Sequence, residues 1–545
     1  MEREKFRIPR SVQDAIPIRR IFADGIFQVG NQYSKTWSFT DINYAIAGKE
    51  DKTSMFLDYS ELLNALDSGA SAKITIYNRR INKAEFERSV LLPDRGDGLD
   101  EYRHEFNQML TAQVTGTSNS IVRERYLTVS VVKRNPDEAR SYFARVGTDL
   151  VTHLAQLSSV ANELTLTERL HIFRDFFKAG EQAAAEFNIH EHAKRGQHFK
   201  DWFCPDSMEF SADHFKLDAR YGRVLYLQDY ASYIKDSFVS ELCDLDRDLM
   251  LSIDILPVPT DEAARQLQST LLGVETNVAN WQRRQNANNN FTATIPYDME
   301  LQRKETKEML DDLTTRDQRM MFGLVTLVHL ADSKEQLDSD TETLYSTARK
   351  HLCQLSTLRW QQKDGLDTVL PYGLRKIQAL RTLTTESTAV LIPFRAQEIM
   401  EPNGLYYGQN AVSKNMIVAD RRLLLNGNSF RLGVSGSGKS MSAKEEIVQI
   451  ALSTEDDILI LDPESEFGYL TEALGGEVIR ISATSDTHIN ALDMDRAYGD
   501  ERNPIVSKSE FVLSLFEQLI GDGMVTAKEK SILGRCTEQV YLPYI

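Results

Sequence analysis

The chain has 545 residues, 41% of them hydrophobic and 26% charged, with a formal net charge of −17. That length predicts about two to four domains, and the composition is ordinary for a soluble globular protein. The acidic balance excludes a chain that grips DNA by broad electrostatics, though not a local basic face or a protein partner. The longest apolar run, Met320 to Ala331, is 12 residues long and contains Thr326 and His329, which predicts a buried strand or helix rather than a membrane span. No apolar signal region follows Met1-Glu-Arg-Glu-Lys5. Cys204, Cys243, Cys353 and Cys536 have neither metal nor redox spacing, so a reduced, cytoplasmic protein is expected.

Residues 1–24 read as a polar tail. Gly25-Ile-Phe-Gln-Val-Gly and Lys35-Thr-Trp-Ser-Phe predict two strands around Asn31-Gln32. Residues 54–67 have helical spacing (Phe56, Leu57, Leu62, Leu63, Leu66) and stop at Gly69. Ala72-Lys-Ile-Thr-Ile-Tyr alternates as a strand does. A helix over 99–112, a strand over 126–132 and a helix over 136–158 follow. Strands and helices interleave in mixed order, which predicts an α+β domain over 25–245. His190, His192 and His198 lie close together, but no Cys or carboxylate completes a metal set, so they read as polar loop residues.

A third region, 246–420, is expected to hold a mixed sheet with an inserted helical hairpin. Its strands are predicted at 249–256, 321–328 and 355–360. The hairpin is expected from helices over 261–284 and 298–316, joined by the turn-forming Asn286-Ala-Asn-Asn-Asn-Phe291. Ser333-Lys-Glu-Gln336 has capping-box spacing and opens a helix to about 352. Gly404-Leu-Tyr-Tyr-Gly-Gln-Asn410 and Asn415-Met-Ile-Val-Ala-Asp420 predict a β-hairpin, whose Tyr406 and Tyr407 either pack against neighbours or stack on a base.

Residues 421–545 carry the strongest signal. Gly433-Val434-Ser435-Gly436-Ser437-Gly438-Lys439-Ser440 matches the phosphate-binding loop of nucleoside-triphosphate enzymes. A triphosphate needs many N–H donors close together, and glycines let the backbone curl around it. Lys439 supplies a point charge for the β- and γ-phosphates, and Ser440 a hydroxyl for Mg²⁺. Ala443, Ile447, Ile450 and Ala451 recur at helical spacing behind the loop, so a helix N-terminus adds its dipole. Strands are expected at 429–432, 458–461 and 478–481, with Asp462 and Glu464 at the carboxyl end of the second. Those carboxylates are candidates for holding Mg²⁺ through water or orienting the attacking water; Asp462-Pro463 is alternatively a helix cap. Helices over 507–520 and 526–541 follow, the second with a capping box at Thr526 and Glu529. Only three strands are expected here, and no strand ending in adjacent Asp-Glu follows Ser440, so the chain reads as cut inside this domain.

Four stretches resemble the large ATPases of type IV secretion and conjugation systems, the VirB/TrbE/TraC kind. They are Asn403-Gly-Leu-Tyr-Tyr-Gly-Gln-Asn with Lys414-Asn-Met, Asn426-Gly-Asn-Ser-Phe430, Leu461-Asp-Pro-Glu-Ser-Glu-Phe467 and Ile489-Asn-Ala-Leu-Asp493. The resemblance covers about 395–545 closely and the rest loosely. It implies an α/β chain: an N-terminal mixed domain with a helical hairpin, then a RecA-like P-loop NTPase domain, here incomplete. It also implies ATP and Mg²⁺ as cofactors and a homo-oligomeric ring, a hexamer. The ring would dock on inner-membrane secretion-channel proteins at the cytoplasmic face, in contact with the coupling ATPase and transiently with DNA. Catalytic roles would fall to Lys439, Asp462 and Glu464. Arg431 breaks an otherwise apolar stretch, and Ala491 replaces the family's usual proline. Two rival readings are a DNA-translocating motor of the HerA/FtsK kind and a non-catalytic docking subunit of the channel.

Overall fold

The computed structural model describes residues 9–544 apart from 81–89, 117–120, 179–186, 189–191, 193, 289–293 and 495–503 and the single positions 232, 246, 317, 402, 483 and 522. It is a mixed α/β structure of two compact units, Met1–Asp457 and Ile458–Ile545. Among the described residues, thirteen strands of the first unit form one sheet. They are β1 (Arg20–Ile21), β2 (Phe27–Val29), β3 (Gln32–Phe39), β4 (Ala70–Arg80), β5 (Ile121–Val132), β6 (Ala161–Glu163), β7 (Met208–Phe210), β8 (Phe215–Leu217), β9 (Arg220–Asp229), β10 (Leu249–Pro257), β11 (Met320–Ala331), β12 (Gln354–Thr357) and β13 (Arg381–Thr384). The order is β1-β2-β3-β5-β4-β10-β11-β9-β8-β7, with β6 on β3, β12 on β9 and β13 on β11.

Every pairing in this sheet is antiparallel, which corrects the mixed sheet expected for 246–420. The reason is connectivity. The helix Lys334–Lys350 leads from β11 to β12, but β12 pairs with β9, so no parallel β-α-β unit forms. The sheet also runs across residue 245, because β10 and β11 lie between β4 and β9. The expected helical hairpin is present as Thr260–Ala287 and Tyr297–Thr315, inserted between the paired strands β10 and β11. Ala263, Leu267 and Leu313 pack with Val258 and Met320 at its root, and Arg303 bonds Glu275 at 3.0 Å between its helices.

The two faces of the sheet differ in chemistry, as period-two alternation dictates. Ile74, Ile76, Leu127, Val129, Leu251 and Ile253 share a core with Tyr59, Leu62 and Leu63 of Lys49–Asn64 and with Phe143, Leu150 and Leu154 of Pro136–Gln156. The opposite face is buried too, yet polar at its centre. Thr36 meets Thr128 at 2.9 Å, Thr75 meets Ser252 at 3.0 Å, and Lys73 bonds Asp254 at 2.7 Å. The helix Gln362–Val369 and the strap after it cover this face. Ser252 donates to the Val369 carbonyl at 2.6 Å and Ser34 to that of Tyr372 at 2.8 Å. Arg169 is fully buried here, stacked over Phe27, and its bonds go to Ser34 and to the carbonyls of Gly25 and Pro371. Burial pushes its guanidinium down to about 9.

Candidate nucleotide-binding site

The loop over 433–438 is exposed throughout, and its glycines answer separate constraints. Gly436 and Gly438 have φ of 77° and 89°, the left-handed region that costs other residues about 1–2 kcal/mol. At Gly433 a Cβ would lie 2.4 Å from the Ser437 hydroxyl and 3.5 Å from Lys439 Cγ. The helix Lys439–Ser453 starts at once, with Gly438 as N-cap and no side-chain cap on its first N–H groups. Those donors and the helix dipole favour an anion. Lys439 Nζ folds over the loop and donates to the carbonyls of Gly433 at 2.9 Å and Val434 at 3.0 Å. The Ser440 hydroxyl, at the second helical position, bonds to no described residue.

This helix is held along its length. Glu446, only 6% exposed, takes ion pairs from both Arg421 and Arg431 and a 2.8 Å bond from the Tyr407 hydroxyl. Gln449 accepts from Tyr406 N at 2.7 Å and donates to its carbonyl at 2.8 Å. Both tyrosines belong to the hairpin of β14 (Leu405–Gln409) and β15 (Met416–Ala419), which therefore docks on the helix. Tyr406 also packs against Leu110, Met416 and Val418, the packing expectation for that ring, whereas the Tyr407 ring is 41% exposed. At the far end Arg103 Nε donates to the Leu452 carbonyl at 3.0 Å, and Arg95 caps the carbonyls of Ser453 and Thr454. Two cations thus meet the negative end of the helix dipole. The Arg103 guanidinium in turn holds Asp97 well below the usual carboxylate range.

The expected strands around the loop do not form. Residues 429–432, 458–461 and 478–481 pair with no described residue. Phe430, Leu432, Leu459 and Leu461 are each at least 90% exposed. A strand buried on both faces needs neighbours on both edges, and an apolar run cannot supply them by itself. Asp462 and Glu464 lie in the second unit. Asp462 accepts from Phe467 N at 2.8 Å, and the N–H groups of residues 464–467 hold its carboxyl below its ordinary value. The carboxylate closes the turn before the helix Gly468–Ala473, whose N-cap is Phe467 and which has no side-chain cap, so Asp462 does not cap it. Glu464 is exposed and bonds to no described residue. In the Ile489–Asp493 stretch the carbonyls of Ala491 and Asp493 accept from Lys508 Nζ at 2.9 and 2.6 Å. The capping box at Thr526 and Glu529 is present in full.

Other candidates carry less. His190 lies outside the described residues; His198 accepts from Lys200 N, and no described group of three His, Cys, Asp or Glu could hold a metal ion. An open cleft of about 1060 Å³ beside β12 is lined by Arg223, Arg349 and Arg359 but also by Asp213, Asp229, Asp338 and Glu342, so carboxylates slightly outnumber cations and no basic face forms. No protein-family model and no curated protein sequence matches the chain.

Proposed function

We propose that the chain binds Mg·ATP on residues 433–440 and serves as an ATPase subunit of a type IV secretion or conjugation apparatus, built on a RecA-like domain. The observation that carries this reading is the loop itself: two left-handed glycines, an uncapped helix N-terminus and Lys439 clasped over the curl. Lys439 bonds only to two carbonyls, which phosphate oxygens can replace. The N–H groups of the first helical turn then bind the β-phosphate, and Ser440 offers its hydroxyl to the cation. Bound Mg·ATP supplies the phosphoryl group and the metal charge that phosphoryl transfer requires. Among the described residues no helix is long and apolar enough to cross a membrane. The proposed subunit forms a homo-hexameric ring that meets inner-membrane channel proteins at the cytoplasmic face, a part of the proposal that rests on the resemblance.

One observation favours a second reading, nucleotide binding without turnover. Asp462 already spends its carboxylate on backbone N–H groups. Steady-state ATP hydrolysis by the full chain separates the two. Turnover abolished by Lys439→Ala supports the motor; no turnover in a chain that binds ATP supports the docking subunit.

A further inference from the structure

The polar face of the central sheet does not close completely. Near the starts of β3 and β4 and the ends of β5 and β10, a chamber of about 160 Å³ remains, room for about five waters. Its walls include Gln32, Ser71, Lys73, Ser130, Asp254 and Arg375. Lys73 and Asp254 have side-chain exposures of 3% and 4% and bond each other at 2.7 Å, so their charges cancel. Arg375, half-buried and near enough for its charge to act on Asp254, leaves the walls with one positive charge in excess. Its Nη1 donates to the Ile377 carbonyl at 3.2 Å and to Gln378 Oε1 at 3.1 Å, while Nε and Nη2 donate to no described residue. A second cation lies close by: the Ser34 hydroxyl accepts from Arg169, which has no carboxylate among its partners, and donates to Tyr372, the neighbour of Gly373. The hydroxyls of Ser71 and Ser130, 2.7 Å apart, and the Gln32 amide, 2.9 Å from Ser130, line the same wall. Gly373 lets the strap come this near. Its φ is 78°, and a Cβ there would lie 2.4 Å from Ser34 Cβ and 3.0 Å from Ser130 Cβ.

Two cations against one carboxylate leave this wall positive, and a small anion offsets that charge. We propose that this chamber binds a small, singly charged oxyanion, phosphate or a short carboxylate, with Arg375 as its counter-ion and Ser71, Ser130 and Gln32 as neutral contacts. The site shares no residue with the phosphate loop and does not depend on the nucleotide reading.

The test is calorimetric titration of inorganic phosphate, and separately of acetate, into the full chain carrying Lys439→Ala, which weakens binding at the phosphate loop. Saturable binding of at least one anion with a Kd below about 10 mM is expected. Arg375→Gln should weaken it about tenfold or more, and Arg375→Lys should restore most of it. Phosphate alone, acetate alone, or both identify the ligand class within the proposal. Saturable binding of neither, or an affinity in Arg375→Gln within about twofold of the parent, overturns it and leaves the chamber to water.

Discussion

Arg431 and Glu446, 15 residues apart, are joined by an ion pair that ties the segment entering the phosphate loop to the helix leaving it. Arg421 shares the same carboxylate. The pair accounts for a charged residue in an otherwise apolar stretch. Glu446→Ala removes the acceptor of two guanidiniums and of the Tyr407 hydroxyl at once. The arginines are about one-third exposed, which lowers the loss to about 1–3 kcal/mol. Hydrogen exchange should therefore accelerate about tenfold or more at amides of 439–453, with β4 and β10 unchanged. Unchanged exchange in that helix would contradict the account.

The loop glycines give a second expectation. Gly438→Ala must hold alanine at φ 89°, costing about 1–2 kcal/mol. That cost falls on the folded chain and should lower its thermal stability; a loop that instead relaxes out of the curl should lose nucleotide affinity about five- to thirtyfold. Gly427→Ala, where a Cβ meets nothing within 4 Å, is the control and should bind as the parent does.

His329 sets an acid sensitivity. It is fully buried; its Nε2 meets the Thr341 hydroxyl at 3.0 Å, and its Nδ1 has no partner. Burial, reinforced by the nearby Arg223 charge, pushes its pKa from 6.5 down to about 3. Between those values the unfolded chain binds a proton that the folded chain refuses. Stability conferred by His329 is thus complete above pH 6.5 and is lost as the pH falls toward about 3. Urea midpoints measured from pH 7 to 4 should decline less steeply in His329→Gln than in the parent, whatever the variant's stability at pH 7. Equal slopes would contradict this.

The Lys73–Asp254 pair predicts a non-additive cycle. Lys73→Met strands a buried carboxylate and should cost about 3–5 kcal/mol. Lys73→Met combined with Asp254→Leu should recover most of that, read as the shift in the first unit's thermal transition. A double variant no more stable than the single one would show that the pair's surroundings, rather than its charges, fix this face.

Much of the sheet was legible in the sequence because alternation is local. Ala72–Tyr77 and the run Met320–Ala331 carry their strand tendency in their own side chains. What covers a face is not local. The strap at Tyr372 and Gly373 reaches Ser34 across more than three hundred residues, so no pattern near β3 or β4 announces a buried polar face. The same limit explains the missing strands. Ile458–Leu461 is as apolar as β10, but β10 has β4 and β11 beside it, whereas Leu459 and Leu461 have no described pairing partner. The curl over 433–438 and the helix start at Lys439 were readable, because Gly433, Gly436 and Gly438 need only one another and the helix behind them. Arg431 was opaque because its partner lies beyond the loop.

The most direct test of the nucleotide reading is equilibrium binding of Mg·ATP to the full chain and to Lys439→Ala. The account predicts saturable binding that the substitution weakens about ten- to hundredfold, the loss expected when a charged donor leaves a phosphate. Equal affinity in both proteins, or no binding by either, would contradict it.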